Sequence, residues 1–312
     1  MSKTVPNSKV MCDVLIEEGQ QNKDIVVLTS DSRGSGKLAD FATTLPEQII
    51  EVGIAEQNLV SISAGLAHSG KRPFAVSPAC FLSMRSIEQV KVDVAYSQTN
   101  VKLVGISGGV SYGALGMSHH SLQDFAVTRA IPNLQVLCPA DNHEAKAMFK
   151  ALTKTNQGAY IRLGRSAVPD VYDTDDFGFE LGKASVLKEG KDITLIGIGE
   201  TVIRVLGAAK VLEEKGVLAT VINVHSLKPF DAETIKQFAK KTGNIITVEE
   251  HSPYGGLGSA VAESLSEETG VKHRIIAFPD EELITGESQE VFEHYGLTAE
   301  NIAEQALQLI AK

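Results

Sequence analysis

Residues 50–67 read IEVGIAEQNLVSISAGLA. An apolar, strand-like start over Ile49–Val52 runs into Gly53, a short turn follows, and Glu56 opens a stretch rich in Ser, Ala and Gly. Glycine punctuates the turn, and the small residues of Gln57–Ala67 suit a helix lying close against a sheet. The same order of short apolar run and helical pattern extends in both directions. Asp24–Thr29 (DIVVLT), Pro73–Val76, Val101–Ile106, Leu134–Leu137 and Ala159–Ser166 read as strands. Between them Phe81–Tyr96 reads as one amphipathic helix, and Asn142–Leu152 as a helix after the Pro139–Ala140 turn. Such alternation is the pattern of a mostly parallel sheet covered by helices.

The stretch 169–178, PDVYDTDDFG, is acidic, contains proline and has no apolar periodicity, as a linker would. Beyond it the alternation resumes: strands at Ile193–Ile198, Leu218–Val224, Ile245–Val248 and Arg274–Ala277, and helices at Val202–Lys215, Ala232–Lys241 and Gly258–Thr269. The expected fold is α/β with two domains, 1–172 and 183–312, joined by a linker at 173–182. Sheets of this kind place ligands at the C-terminal ends of their strands.

Composition agrees with a globular protein and narrows its partners. The chain has 312 residues, 43% of them apolar and 22% charged, and a net charge of −10. That charge disfavours nucleic acid and anionic membranes, and the absence of Trp disfavours a stacking platform for single strands. No apolar run reaches the roughly 18 residues of a membrane span. The N-terminal MSKTVPNSKV has no apolar signal-peptide core. Cys12, Cys80 and Cys138 are odd in number, far apart and without CxxC spacing, so a zinc site or disulfide framework is not expected, and a reducing cytoplasm is.

Four strings carry candidate chemistry. Glu56 has apolar neighbours in Ile54, Ala55 and Leu59, and desolvation would favour proton sharing over a bare charge; alternatively, a first-turn acid simply complements the helix dipole. In FLSMRSIEQV, Phe81, Met84 and Ile87 are three apart, which fits a pocket wall or a core-facing stripe. In SYGALGMSHHSLQD, His119 and His120 sit in a Gly-rich loop after a strand; they could serve acid–base chemistry, bind a metal or be loop polarity. In AYIRLGRS, Arg165 ends a strand and could clamp an anion or be a surface residue. Arg162, three residues earlier, is expected on the opposite face. The glycines of EEHSPYGGLGSAVA (249–262) read as strand-to-helix packing.

The first of these strings closely resembles the stretch of transketolases and 1-deoxyxylulose-5-phosphate synthases that carries the glutamate contacting thiamine diphosphate. The histidine string resembles the Gly-x-Ser/Thr-His-Gln/His loop of transketolases. The resemblance covers essentially the whole chain, and implies a pyrimidine-binding thiamine-diphosphate fold followed by a transketolase C-terminal domain. It implies that Glu56 shares a proton with N1′ of the cofactor's aminopyrimidine, which makes the exocyclic nitrogen basic enough to activate the thiazolium carbon. Phe81 matches an aromatic that stacks on the pyrimidine; Met84 and Ile87 stand where transketolases often have further aromatics. His119 matches the histidine at the donor's C1 hydroxyl and carbonyl, and His120 a position often held by Gln. Arg165 and Ser35 match residues near the donor phosphate, with Arg33 a new cation beside Ser35. Ser8, Ser107 and Leu115 replace, respectively, arginine, histidine and an acid found in relatives, which admits a substrate other than the usual pentose and heptose phosphates, a sulfonated or branched sugar included; the resemblance implies an anionic sugar, phosphorylated or sulfonated.

The chain contains no GDG motif, the family's Mg²⁺–diphosphate signature. A separate N-terminal subunit is therefore implied, holding Mg²⁺ and the diphosphate in a heterotetramer, with this chain inactive alone and no metal ligand of its own. The implied activity is transfer of a two-carbon ketol unit from a ketose to an aldose. A 2-oxo acid dehydrogenase β subunit and a non-catalytic interaction protein on the same fold are the alternatives.

Overall fold

The computed structural model describes residues 4–311. Twelve strands form among them: β1 Ile25–Thr29, β2 Ile49–Glu51, β3 Arg72–Pro78, β4 Lys102–Ile106, β5 Gln135–Leu137, β6 Ala159–Arg162, β7 Ser185–Lys188, β8 Ile193–Gly197, β9 Ala219–Asn223, β10 Ser226–Lys228, β11 Asn244–Val248 and β12 Lys272–Ile276. They build a seven-stranded sheet in the order β10-β5-β6-β4-β3-β1-β2 and a five-stranded sheet in the order β12-β11-β8-β9-β7. All pairings are parallel except β10 with β5 and β7 with β9. Every residue of β1, β4, β8 and β9 is buried, as expected of strands covered on both faces, and this is why they read as continuous apolar runs.

The short strand β10 lies in the second half of the sequence but edges the first sheet, with Ser226 opposite Leu137. Three residues are too few to carry a periodic signal. No helix among the described residues is long and apolar enough to cross a membrane. Cys12, Cys80 and Cys138 are buried free thiols.

The helix expected at Gly258–Thr269 spans Leu257–Ser264, and two elements of the candidate strings also differ from expectation. Phe81–Tyr96 is not one helix. It divides into Ala79–Met84, a single turn at Ile87–Gln89 and a π-helical stretch at Val90–Tyr96. Ser83 Oγ donates to the Ala79 carbonyl at 2.7 Å and Ser86 Oγ to the Leu82 carbonyl at 2.6 Å, a back-bonding that bends helices. Ser86 itself leaves helical geometry at φ −107°, ψ 20°. Phe81, Met84 and Ile87 therefore do not share one helix: Met84 is 50% exposed, whereas Ile87 packs against the apolar core. The strand expected to reach Arg165 ends at Arg162, so strand alternation does not fix where Arg165 points.

Candidate active site

The sheet order sets the candidate residues side by side. Strands β6, β4, β3, β1 and β2 are consecutive. Arg165 follows β6, His119 and His120 follow β4, Phe81 follows β3, Arg33 and Ser35 follow β1, and Glu56 follows β2. All leave the sheet at its C-terminal edge, where parallel sheets present ligand-binding groups. Glu51, the last residue of β2, ties two of these loops together: its Oε1 accepts from the Asp31 N–H at 2.7 Å and from the Gly53 N–H at 3.0 Å.

Glu56 opens the helix Glu56–His68 and is 2% exposed. Its Oε2 accepts from Arg85 Nη1 at 2.7 Å, a charge-assisted bond of the kind a buried carboxylate requires. The same Arg85 guanidinium lies 4.7 Å from the centre of the Phe81 ring. Phe81 in turn meets the His119 imidazole edge to face, with centroids 5.2 Å apart. On its other side His119 contacts the Tyr112 ring at 5.5 Å, and Ser118 Oγ lies 2.9 Å from its Nδ1. Tyr112 completes the row. Arg165 sits over its ring at 4.8 Å, and its hydroxyl reaches Ser35 Oγ at 3.4 Å.

A continuous line of contacts thus runs from Glu56 through Arg85, Phe81, His119 and Tyr112 to Arg165 and Ser35. One end offers a buried carboxylate beside an aromatic ring; the other offers a cation and hydroxyls. His120 lies behind the line, 4% exposed, with neither ring nitrogen completing a hydrogen bond of normal geometry. Burial pushes its pKa down, and the adjacent Gly113 backbone opposes this without reversing it, so its ring is neutral at physiological pH. Arg33 is exposed on the turn before Ser35. Met84 is exposed beside Arg85, and Leu115 is 53% exposed at the tip of the histidine loop. Ser107, at the end of β4, is buried at φ 54° with its hydroxyl unpartnered.

Sequence reasoning missed Arg85 and Tyr112, which join the candidate residues. Both stood inside quoted strings; an arginine four residues after Phe81 and an aromatic in a Gly-rich loop were the available signals. Arg162 is not part of this line. It is 3% exposed, with Nη2 3.2 Å from Glu250 Oε2 and Nη1 3.6 Å from Asp124 Oδ1. The Glu249 carboxylate accepts from the Leu257 and Gly258 N–H groups at 2.7 and 2.8 Å, holding the start of the following helix to β11.

Comparison with known proteins places the chain in a family. The transketolase pyrimidine-binding domain matches residues 3–171 and the transketolase C-terminal domain residues 182–302. An apulose-4-phosphate transketolase subunit of Phocaeicola vulgatus is 53% identical over 304 residues, covering 97% of both chains. A 6-deoxy-6-sulfo-D-fructose transketolase subunit of a Clostridium species is 38% identical, covering 94% of this chain and 91% of that one. A solved structure described as a split-gene transketolase, inactive β4 tetramer, superposes with a TM-score of 0.89 at 40% identity, covering 98% and 99% of the two chains. The chain belongs to the transketolase family and corresponds to the subunit that carries its pyrimidine-binding and C-terminal domains.

Proposed function

We propose that this chain is the C-terminal subunit of a two-subunit transketolase that moves a two-carbon ketol unit from an anionic ketose to an aldose. The observation that carries this reading is the line from the buried Glu56 carboxylate to the Arg165 cation, built from five adjacent strand ends. The residues fit the aminopyrimidine half of thiamine diphosphate. Glu56 is a desolvated carboxyl able to bond a ring nitrogen, Phe81 is a half-buried aromatic, and Ile54 and Met84 are exposed apolar side chains at 74% and 50%. When bound, the cofactor supplies a nucleophilic carbon for the ketose.

This chain's residues do the rest. Glu56 holds a proton at the ring nitrogen, and Phe81 seats the ring with Met84 and Ile87 on the flanking segments. His119, with one nitrogen on Ser118 and the other free for substrate, handles hydroxyl and carbonyl protons, and neutral His120 backs it from the buried side. Arg165, Ser35 and Arg33 receive the anionic end, whether phosphate or sulfonate; the names of the apulose-4-phosphate and sulfofructose relatives support that class.

Mg²⁺ and the diphosphate belong, on this reading, to an N-terminal partner with a GDG motif. The exposed apolar residues Ile54, Ile62, Met84, Val92 and Tyr96 lie on two packed segments beside Glu56 and supply a surface for subunit association. The similar split-gene protein described as an inactive β4 tetramer supports self-association and silence without a partner. The division into 1–172 and 183–312, the heterotetramer and a reducing cytoplasmic setting belong to the same proposal; neither nucleic acid nor a membrane is a partner in it.

Calorimetric titration of Mg²⁺–thiamine diphosphate tests it. The chain alone should give no measurable binding, and the complex with its partner should bind and transfer ketol units from phosphorylated or sulfonated ketoses. Tight stoichiometric binding by the chain alone overturns the split site. Near-normal turnover in a Glu56→Ala complex removes the central role of that carboxyl.

A further inference from the structure

The loop that carries His119 leaves β4 and returns at Asp124, and both of its stems are held by the second half of the chain. The Val110 N–H donates to Glu250 Oε1 at 2.7 Å across 140 residues, and its carbonyl accepts from Ser288 Oγ at 3.0 Å across 178 residues. At the other stem, the Ser252 N–H donates to the Leu122 carbonyl at 3.0 Å. Between the stems the loop lies directly on the 283–288 segment: a Cβ on Gly113 would stand 2.0 Å from the Gly286 carbonyl oxygen, and one on Gly116 2.9 Å from Thr285 Cγ2.

One guanidinium joins the two stems. Arg162 Nη2 donates to the Glu250 carbonyl at 2.7 Å and lies 3.2 Å from its Oε2. Arg162 Nη1 lies 3.6 Å from Asp124 Oδ1, and Tyr160 donates to Asp124 Oδ2 at 2.7 Å. The start of the loop therefore reaches Arg162 through Glu250, and its end reaches Arg162 through Asp124. Glycine is required at the crossing, since a Cβ on Gly108 would lie 2.3 Å from Arg162 Nε and one on Gly109 2.0 Å from Glu250 Cδ.

We propose that Glu250, buckled by Arg162 and assisted by Ser288, is a positioning residue for His119, so that the second domain sets the geometry of the loop that handles substrate. A network serving only the domain interface needs no bond to a backbone N–H in the stem of that loop. Here one carboxylate oxygen takes that N–H while the other faces the cation that anchors the far stem. The histidine gains from such support, because its ring meets only the edges of Phe81 and Tyr112 and the Ser118 hydroxyl, and its N–H donates at 2.9 Å to the Gly116 carbonyl, which belongs to the same loop. The kinetic part of this proposal rests on the transketolase reading; the structural part does not.

Three variants test it: Glu250→Ala, Glu250→Gln, which keeps an oxygen for the Val110 N–H but loses the charge facing Arg162, and Ser288→Ala. Hydrogen exchange on the full chain should rise about tenfold over residues 109–122 in Glu250→Ala and Ser288→Ala, consistent with local opening of a weakened unit, with β8 and β11 unchanged. Glu250→Gln should fall between wild type and Glu250→Ala. In the complex with the N-terminal subunit, kcat should fall roughly tenfold to a hundredfold, as slight misplacement of a reacting group produces, with the cofactor affinity unchanged. Unaltered exchange in the loop overturns the clamp; raised exchange with kcat within about twofold of wild type overturns its bearing on His119. A wild-type complex without ketol transfer counts against the transketolase reading, and the exchange result still decides the clamp.

Discussion

Arg85 bonds the buried Glu56 carboxylate at 2.7 Å while its guanidinium plane rests 4.7 Å from the Phe81 ring centre. One cation thus couples the two groups proposed to meet the pyrimidine. Glu56 is 2% exposed, whereas the Arg85 side chain is 47% exposed, so the arginine can move without unfolding anything and the glutamate cannot.

Replacing Arg85 with Met leaves a buried carboxylate without its charged donor. Stranding such a group costs about 1–3 kcal/mol, so the melting temperature of the chain at pH 7 should fall. Glu56→Gln combined with Arg85→Met should recover most of the loss, because an amide tolerates the site without a cation. Equal melting of wild type and Arg85→Met would show that the pair contributes nothing.

Tyr112 separates the two ends of the line, and its ring and hydroxyl have different tasks. Tyr112→Phe keeps the surface under Arg165 and loses only a long, 3.4 Å contact to Ser35; donor KM should change less than about threefold, the effect of one weak hydrogen bond. Tyr112→Ala removes the cation–π support of Arg165 and a wall of His119, so KM for an anionic ketose should rise about tenfold, with cofactor affinity constant. Steady-state titrations with a phosphorylated and a sulfonated ketose check both. An Ala variant with wild-type KM would detach Arg165 from the donor.

The legible parts of this protein are those built from contiguous sequence. Glu56 can be placed because a strand, a glycine and a small-residue helix follow one another within Ile49–Ala67, and the structure keeps that order. The line from Glu56 to Arg165 is legible as separate points, since each point follows its own strand; that the five strands are neighbours comes only with the sheet order. Sequence alone does not locate Arg162, because the strand it closes is four residues long within a longer apolar-looking run. Its partner Glu250 lies 88 residues away, and no local pattern announces a contact of that range. The helix break at Ser86 arises from hydroxyls bonding back to the preceding turn, which competes with an apolar periodicity that still looks helical.

Acid should weaken the domain contact through His251. Its ring is fully buried and stacked on Phe125 at 5.4 Å. Nδ1 lies 2.8 Å from the Ser252 carbonyl, and Nε2 completes no hydrogen bond of normal geometry. Asp124, Glu249 and Arg162 are the charged groups around it. Burial pulls its pKa from 6.5 down to about 4, against the opposing pull of Asp124. The folded pKa is thus below the unfolded one, so the unfolded chain binds the extra proton between these values. The contribution of the neutral ring is complete above pH 6.5 and is lost as the pH falls through 4, by on the order of 3 kcal/mol. Glu249, raised to about 7 by burial, works in the opposite direction between its unfolded value and 7, so the wild-type melting curve alone mixes the two. The His251→Phe variant isolates the histidine: it keeps a ring against Phe125 and cannot titrate. Its melting temperature relative to wild type should rise steadily from pH 6.5 to pH 4 and then level off. A difference that stays constant across that window would mean that His251 titrates alike in the folded and unfolded chain.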